Sequence, residues 1–280
     1  MKPICCRCVS IYALLAASLV VIHAQEGPAG APAATPAPVP VAEASHPSIA
    51  LAPAIVMLRG KPGQSASQTL TISNQLPVEL RFEIEAQDVV VRDGKRVFVP
   101  AGQIPSGIAA QVVSAPASVL APAGKNASVN VTLTAPPDTS QRAIVVFFKA
   151  KVADAGKDTL GFAASLGALI TLNLSDAVNL VSGSTAVTPQ TASANVTVSE
   201  ELENTGAEPV VPKGALAVLD ERGKRVAKAT FEPHRLLPGE RAAFSVVCPA
   251  FLSPGNYRTL SSFEYEGKVL TNAGEFTVSQ

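Results

Sequence analysis

The clearest pattern along the chain is a strict alternation over residues 78–86. Val78, Leu80, Phe82, Ile84 and Ala86 fall on one side, and Glu79, Arg81, Glu83 and Glu85 on the other. Only an extended strand, with its side-chain period of two, gathers such an apolar set onto one face, so the segment reads as a half-buried strand. Related runs surround it. Residues 67–73 set Leu70 and Ile72 against Thr69, Thr71 and Ser73; residues 127–133 turn Val129, Val131 and Leu133 inward. Residues 166–174 align Leu166, Ala168, Ile170, Leu172 and Leu174 on one face. Residues 49–58 read as a first strand, 112–120 as a strand interrupted at Pro116, and 144–152 as a long apolar strand.

Turn chemistry separates these runs. Residues 61–64, 74–77 and 122–125 carry Pro, Gly or Asn, and Asp93-Gly94 stands between two valine-rich runs, the pattern of a hairpin. Strands that recur every eight to twelve residues, with no helical period of useful length, indicate an all-β sandwich. A second unit begins near Ala192, with strands over 195–202, 215–219, 225–231, 243–247, 257–265 and 268–278. Its turns include 204–207, a hairpin at 220–224, and Leu237-Pro238-Gly239. Both units order their parts alike: a strand, an Asn-bearing turn, a hairpin with Gly-Lys-Arg-Val at 94–97 or 223–226, a Pro-Gly-type turn, and further strands. The expectation is two tandem immunoglobulin-like β-sandwich domains, at 49–182 and 190–280, joined around 182–190.

The start of the chain belongs to neither unit. Lys2 and Arg7 precede an apolar run at 11–22 that ends near the small residue Ala24, the three parts of a secretory signal peptide over 1–24. Residues 25–48 are rich in Ala, Pro and Gly, a composition that cannot bury enough surface to offset its ordering entropy, and read as a disordered spacer. No second apolar stretch is long enough to span a bilayer, so the mature chain is expected without an integral membrane span, in the periplasm or otherwise outside the cytoplasm. Export also changes the cysteine arithmetic. Cys5, Cys6 and Cys8 lie in the signal, and Cys248 remains as a small buried apolar residue in a strand.

Composition narrows the function further. The 280 residues hold 22 Lys+Arg and 22 Asp+Glu, a net charge of zero, which offers no basic excess to hold a nucleic-acid backbone. Past the signal only His46, in the spacer, and His234, in a surface loop, remain, and neither has a partner at metal or catalytic spacing. No phosphate-binding glycine loop, nucleophile elbow or Cys-x-x-Cys occurs. Glu79, Glu83 and Glu85 belong to a solvated strand face, and Asp88, Asp93, Asp138, Asp154 and Asp158 lie in or near turns without calcium-loop spacing. The chain reads as a non-enzyme with no catalytic residue, no metal and no cofactor, acting through a surface or a sheet edge.

The segment Ser67 to Asn74, the following strand, and the stretch from Val113 through Ser118-Val119-Leu120-Ala121-Pro122 to Val131 resemble the N-terminal domain of the periplasmic pilus-assembly chaperones. Ala121-Pro122-Ala123-Gly124 stands where that family has a leucine–x–proline–glycine turn. The resemblance covers residues 49–175 and implies that 166–174 is a subunit-binding strand, with Leu166, Ala168, Ile170, Leu172 and Leu174 touching the partner. Exported protein subunits, bound by β-strand addition, would then be the partners. The family also implies an Arg and a Lys that hold a subunit's terminal carboxylate. Here the first strand has no basic residue before Arg59, and 166–174 has no Lys. A structural or adhesive envelope module, binding a surface polymer or protein, is the alternative.

Overall fold

The computed structural model describes residues 48–152, 164–188, 195–248 and 252–279. The expected signal peptide and nearly all of the spacer lie outside these residues. Within them, apart from a 3-10 turn at Ala109–Gln111, all regular structure is strand. The strands form two immunoglobulin-like β-sandwiches.

The first sandwich packs a four-stranded sheet against a six-stranded one. The four-stranded sheet orders β1 (Ile49–Ala52), β3 (Ser65–Asn74), β8 (Lys125–Thr134) and β6 (Val112–Ala115). The other orders β2 (Ile55–Arg59), β10 (Ala164–Asn173), β9 (Ala143–Val152), β4 (Leu80–Arg92) and β5 (Lys95–Pro100), with β7 (Ser118–Ala121) also on β4. The alternation legible in the sequence becomes its core: Leu70, Ile72, Leu80, Phe82, Val129, Val131, Leu133, Ile144 and Ile170 are all buried between the sheets. Such alternating apolar faces drive the packing through area removed from water.

Two expected strands are each divided. The run 49–58 becomes β1, antiparallel to β3, and β2, parallel to β10. Pro53 has no N–H to give a ladder, so pairing ends there and the chain crosses to the opposite sheet. Pro116 does the same between β6, on β8, and β7, on β4. Asp88 also departs from expectation. It is fully buried within β4, where its Oδ1 accepts the N–H groups of Ile108 and Ala109 at 2.8 and 3.0 Å.

The second sandwich pairs β11 (Leu180–Thr188), β12 (Val196–Asn204) and β15 (Arg241–Cys248) in one sheet. The other orders β14 (Arg225–Thr230), β13 (Lys213–Asp220), β16 (Gly255–Tyr265) and β17 (Lys268–Val278). Its core holds Val198, Leu202, Val218, Phe231, Phe244, Phe263 and Cys248. Of the region 182–190 in which the join was expected, the described part up to Thr188 belongs to β11, which hydrogen-bonds to β12 of the second sandwich. The outward positions of β11 mix Val181 with polar and small residues and its register shifts between Ser182 and Thr185, which blurs the strand pattern in the sequence.

The repeat read from the sequence has a physical counterpart in two buried asparagines. Asn74, ending β3, donates Nδ2 to the carbonyls of Val78 and Ala121, both at 2.9 Å, while its Oδ1 accepts the N–H of Leu76. Asn204, ending β12, donates to Glu208 and Leu236 at 2.9 and 3.1 Å and accepts from Gly206. Each side chain ties its own turn to the carbonyl just ahead of a Pro-containing turn, satisfying backbone groups that the strand ends leave open.

The sandwiches meet through side chains from both. Leu237, of the expected Leu-Pro-Gly turn, is buried with Val89, Ala143 and Val145 on the outer face of the first sandwich. Arg96, next to the first hairpin, pairs with Glu240 at 2.8 Å and donates to the carbonyl of Arg235.

Candidate functional site

β10 runs antiparallel to β9 along its length, in an unbroken register from Ala164↔Ala150 to Thr171↔Ala143. On its other side it meets β2 only from Leu169↔Ile55 to Asn173↔Arg59. The N–H of Leu169 donates to the carbonyl of Ala54 at 2.9 Å, and that of Leu172 to the carbonyl of Arg142 at 2.8 Å. Odd-numbered residues of β10 therefore direct their backbone groups toward β2, and even-numbered ones toward β9. Ahead of Leu169, the N–H and C=O of Ser165 and Gly167 face no strand among the described residues. Unpaired ladder groups of this kind are a template for another chain.

The structure divides the five residues singled out in the sequence. Leu166 and Ala168 lie on the free half and turn inward, Ala168 fully buried and Leu166 partly so. Ile170 and Leu172 lie on the half already flanked by β2, with 1% and 4% of their surface exposed, and serve the core. Leu174 follows the end of β10 and donates its N–H to Glu208 at 3.0 Å. The open edge is thus half of the strand expected. The cause is β2, which returns from a distant part of the sequence to pair in parallel, a contact no local pattern encodes.

The outer face beside this edge is apolar around Gly167 and charged at Lys149, opposite Ser165. A Cβ on Gly167 would come within 3.2 Å of Val145 Cγ2 and 3.4 Å of Phe147 Cε1, so the Phe147 ring covers the place where a side chain would stand. Phe147 meets Phe98 edge-on, with centroids 5.7 Å apart. Phe98 and Ile55 are 51% and 61% exposed. Next along β9, Lys149 pairs with Glu85, and hydrogen bonds from Lys149 and Gln87 hold the Glu85 carboxyl below its usual range.

At the far end of β2, Arg59 reaches the second sandwich and donates Nη2 to both carboxylate oxygens of Glu266, at 2.7 and 2.8 Å. Lys268 donates to the carbonyl of Val178 at 2.6 Å. These residues, with Asn173, Ser175 and Asp176, line a cleft of about 150 Å³.

The remaining candidate chemistry is structural. Cys248 is buried in β15, where desolvation pushes its thiol up. His234 is exposed in its loop and stacks on Phe244 with centroids 3.8 Å apart. His46, Asp154 and Asp158 fall outside the described residues. Among the described residues no three His, Cys, Asp or Glu side chains gather at metal-binding distance, and no helix is long and apolar enough to cross a membrane.

No protein-family model and no curated protein sequence matches the chain. Among solved structures it is similar to the class 5 fimbriae chaperone CfaA, with TM-score 0.42 and 17% identity over 83% of this chain and 100% of that one. It is similar to the E. coli chaperone DraB, with TM-score 0.37 and 14% identity over 84% and 99% of the two chains. It is also similar to a chain of the CsuC–CsuE chaperone–tip adhesion subunit pre-assembly complex of Acinetobacter baumannii. That match has TM-score 0.41 and 10% identity over 83% and 100%. These are likenesses of fold.

Proposed function

We propose that the chain is an exported, chaperone-like binding protein of the periplasm that takes an extended segment of another exported protein onto the free half of β10. The observation that carries this reading is the pair of backbone positions, Ser165 and Gly167, that face no strand among the described residues while the rest of β10 is paired. An added strand would gain main-chain hydrogen bonds there, lie beside Leu166 and Ala168 on one face, and meet Phe147 and Ile55 on the other. The test is co-purification of the tagged protein from its native envelope, with wild type beside Ser165→Pro. That substitution deletes an N–H aimed at the open side and spares the ladder to β9. We expect an unchanged melting temperature and loss of exported partners. Recovery of the same partners in the same amounts would sink the proposal.

One observation favours a second reading, an envelope module that holds a neutral surface polymer. The outer face of the β1-β3-β8-β6 sheet carries no charged side chain. Ser65, Ser67, Thr69, Thr71 and Ser73 stand in register with Thr134, Thr132, Asn130, Ser128 and Asn126, flanked by Ala50, Ala52, Val113 and Ala115. Hydroxyl pairs Ser65–Thr134 and Ser67–Thr132 are 2.7 Å apart. Co-sedimentation with purified cell-wall polymer, lost on Thr69→Lys with Asn130→Lys, would favour this reading. Sedimentation equal to that of an unrelated protein would remove it.

A further inference from the structure

The outer face of the β14-β13-β16-β17 sheet is open and lined by small side chains. Its positions fall into rows fixed by the strand registers. One row runs Lys228, Ala217, Leu260, Ala273, and its neighbour runs Thr230, Ala215, Ser262, Thr271. Leu216 and Val218 point the other way, into the core. The face forms a depression of about 560 Å³ lined by Lys228, Ala217 and Leu260 of the first row, by the whole of the second and by Arg225, with no acidic residue among its walls; Ala273 continues the first row beyond it. Leu260, 42% exposed, is the large apolar side chain in the row. Arg225 and Lys228 make no ion pair and no side-chain hydrogen bond among the described residues.

We propose that this face binds a single-chain anionic amphiphile, its acyl chain laid along the Ala217–Leu260–Ala273 row and its head group held by Lys228 and Arg225. Charge and shape both point to that class. Two unpaired cations stand at one end of an apolar floor. Counted from Lys228, which holds the carboxylate, to Ala273, the row crosses three inter-strand steps, about 14 Å, which is the length of an extended fatty acid of about twelve carbons, head group included. The apolar strip is one row wide, bordered on one side by the hydroxyls of Thr230, Ser262 and Thr271 and on the other by Leu219 and the Arg258–Glu275 ion pair. A helix, about 10 Å across, would cover those hydroxyls as well as the strip, whereas a single alkyl chain fits within it.

The experiment is a calorimetric titration of the mature protein with laurate, followed by chemical-shift mapping with methyl-labelled alanine and leucine. We expect saturable binding with shifts at Ala215, Ala217, Leu260 and Ala273. Lys228→Gln and Arg225→Gln should each weaken laurate by about tenfold, the loss of one charge-assisted hydrogen bond. Dodecanol should bind wild type and both variants alike, and Leu260→Asp should abolish laurate binding. All three substitutions alter exposed side chains, so the melting temperature serves as the control for folding. Equal laurate affinity in wild type and both charge variants would overturn the proposal, as would shifts confined to other faces. A polyglutamate peptide that moves these methyl signals while laurate does not would also overturn it, replacing the amphiphile by an acidic protein segment.

Discussion

Glu208 of the second sandwich accepts a hydrogen bond from Arg142 Nε of the first at 3.0 Å, and its side chain is fully buried. The same carboxylate accepts the N–H of Leu174 at 3.0 Å and the hydroxyl of Ser175 at 2.7 Å. One side chain thereby holds the segment entering β9, the residue following β10 and the join between the sandwiches. Glu208→Ala strands a largely buried guanidinium, a change that costs about 3–5 kcal/mol when one partner of such a pair is removed. In a chain of this size that lowers the melting temperature by about 6–20 °C. Glu208→Gln, which keeps an acceptor, should cost less than half as much. Thermal unfolding by circular dichroism checks both, and an alanine variant that melts with wild type would show that the pair is idle.

Leu237 supplies the apolar part of the same junction, 2% exposed between Val89, Ala143 and Val145. Leu237→Ala should cost about 2–4 kcal/mol through lost burial and the cavity left behind. Because the contact joins the sandwiches, calorimetry should also show one transition splitting into two. A single transition at the wild-type temperature would contradict the prediction.

His234 makes the second sandwich sensitive to pH. Although His234 is exposed at the loop surface, the Phe244 ring stacked on one face partly desolvates the imidazole and lowers its pKa from the ordinary 6.5, with Glu232 and Glu240 opposing the shift. As pH falls below 6.5 the unfolded chain takes up this proton before the folded one does. The stability from the neutral ring is complete above 6.5 and drains away as pH drops through the lower folded value. His234→Gln should flatten this part of the curve of urea midpoint against pH. An identical slope in wild type and variant between neutral and mildly acid pH would refute it.

Cys248 should resist alkylation while the protein is folded. Its side chain is fully buried and desolvation raises its pKa, so both access and thiolate are scarce. Peptide mapping after iodoacetamide should find Cys248 unmodified in native protein and modified in urea. Rapid native labelling would mean that β15 opens readily.

How far the sequence carries can be argued from particular residues. The Leu80 and Phe82 face and the Asp93-Gly94 hairpin were legible because each is a local device: a period of two, and a turn needing positive φ, which Asp93 and Gly94 adopt at 51° and 76°. The two asparagine turns were legible as turns, though not as buried ties to remote carbonyls. What stayed hidden depends on pairing across the chain. Ile55 and Leu169 are adjacent in a parallel ladder, and nothing near either residue announces the other. Arg142 and Glu208 look like ordinary surface charges until folding buries them together. Phe147 reads as one more core residue of an apolar strand, yet it faces outward over Gly167.

The crossover at Pro53 sets how much of β10 is left open beside β2. A single run of chain edges both sheets in turn, covering β3 only over Thr71–Asn74 by way of β1 and β10 only from Leu169 by way of β2. What it covers on one sheet it leaves bare on the other. The vacancy is therefore metered by where the proline sits. Shifting the proline two positions toward the C-terminus would lengthen β1, shorten β2 and widen the berth on β10 by one more pair of outward backbone groups. If β10 takes a segment as proposed, a proline scan through this linker would change the length of segment accepted, through the backbone that β2 leaves open.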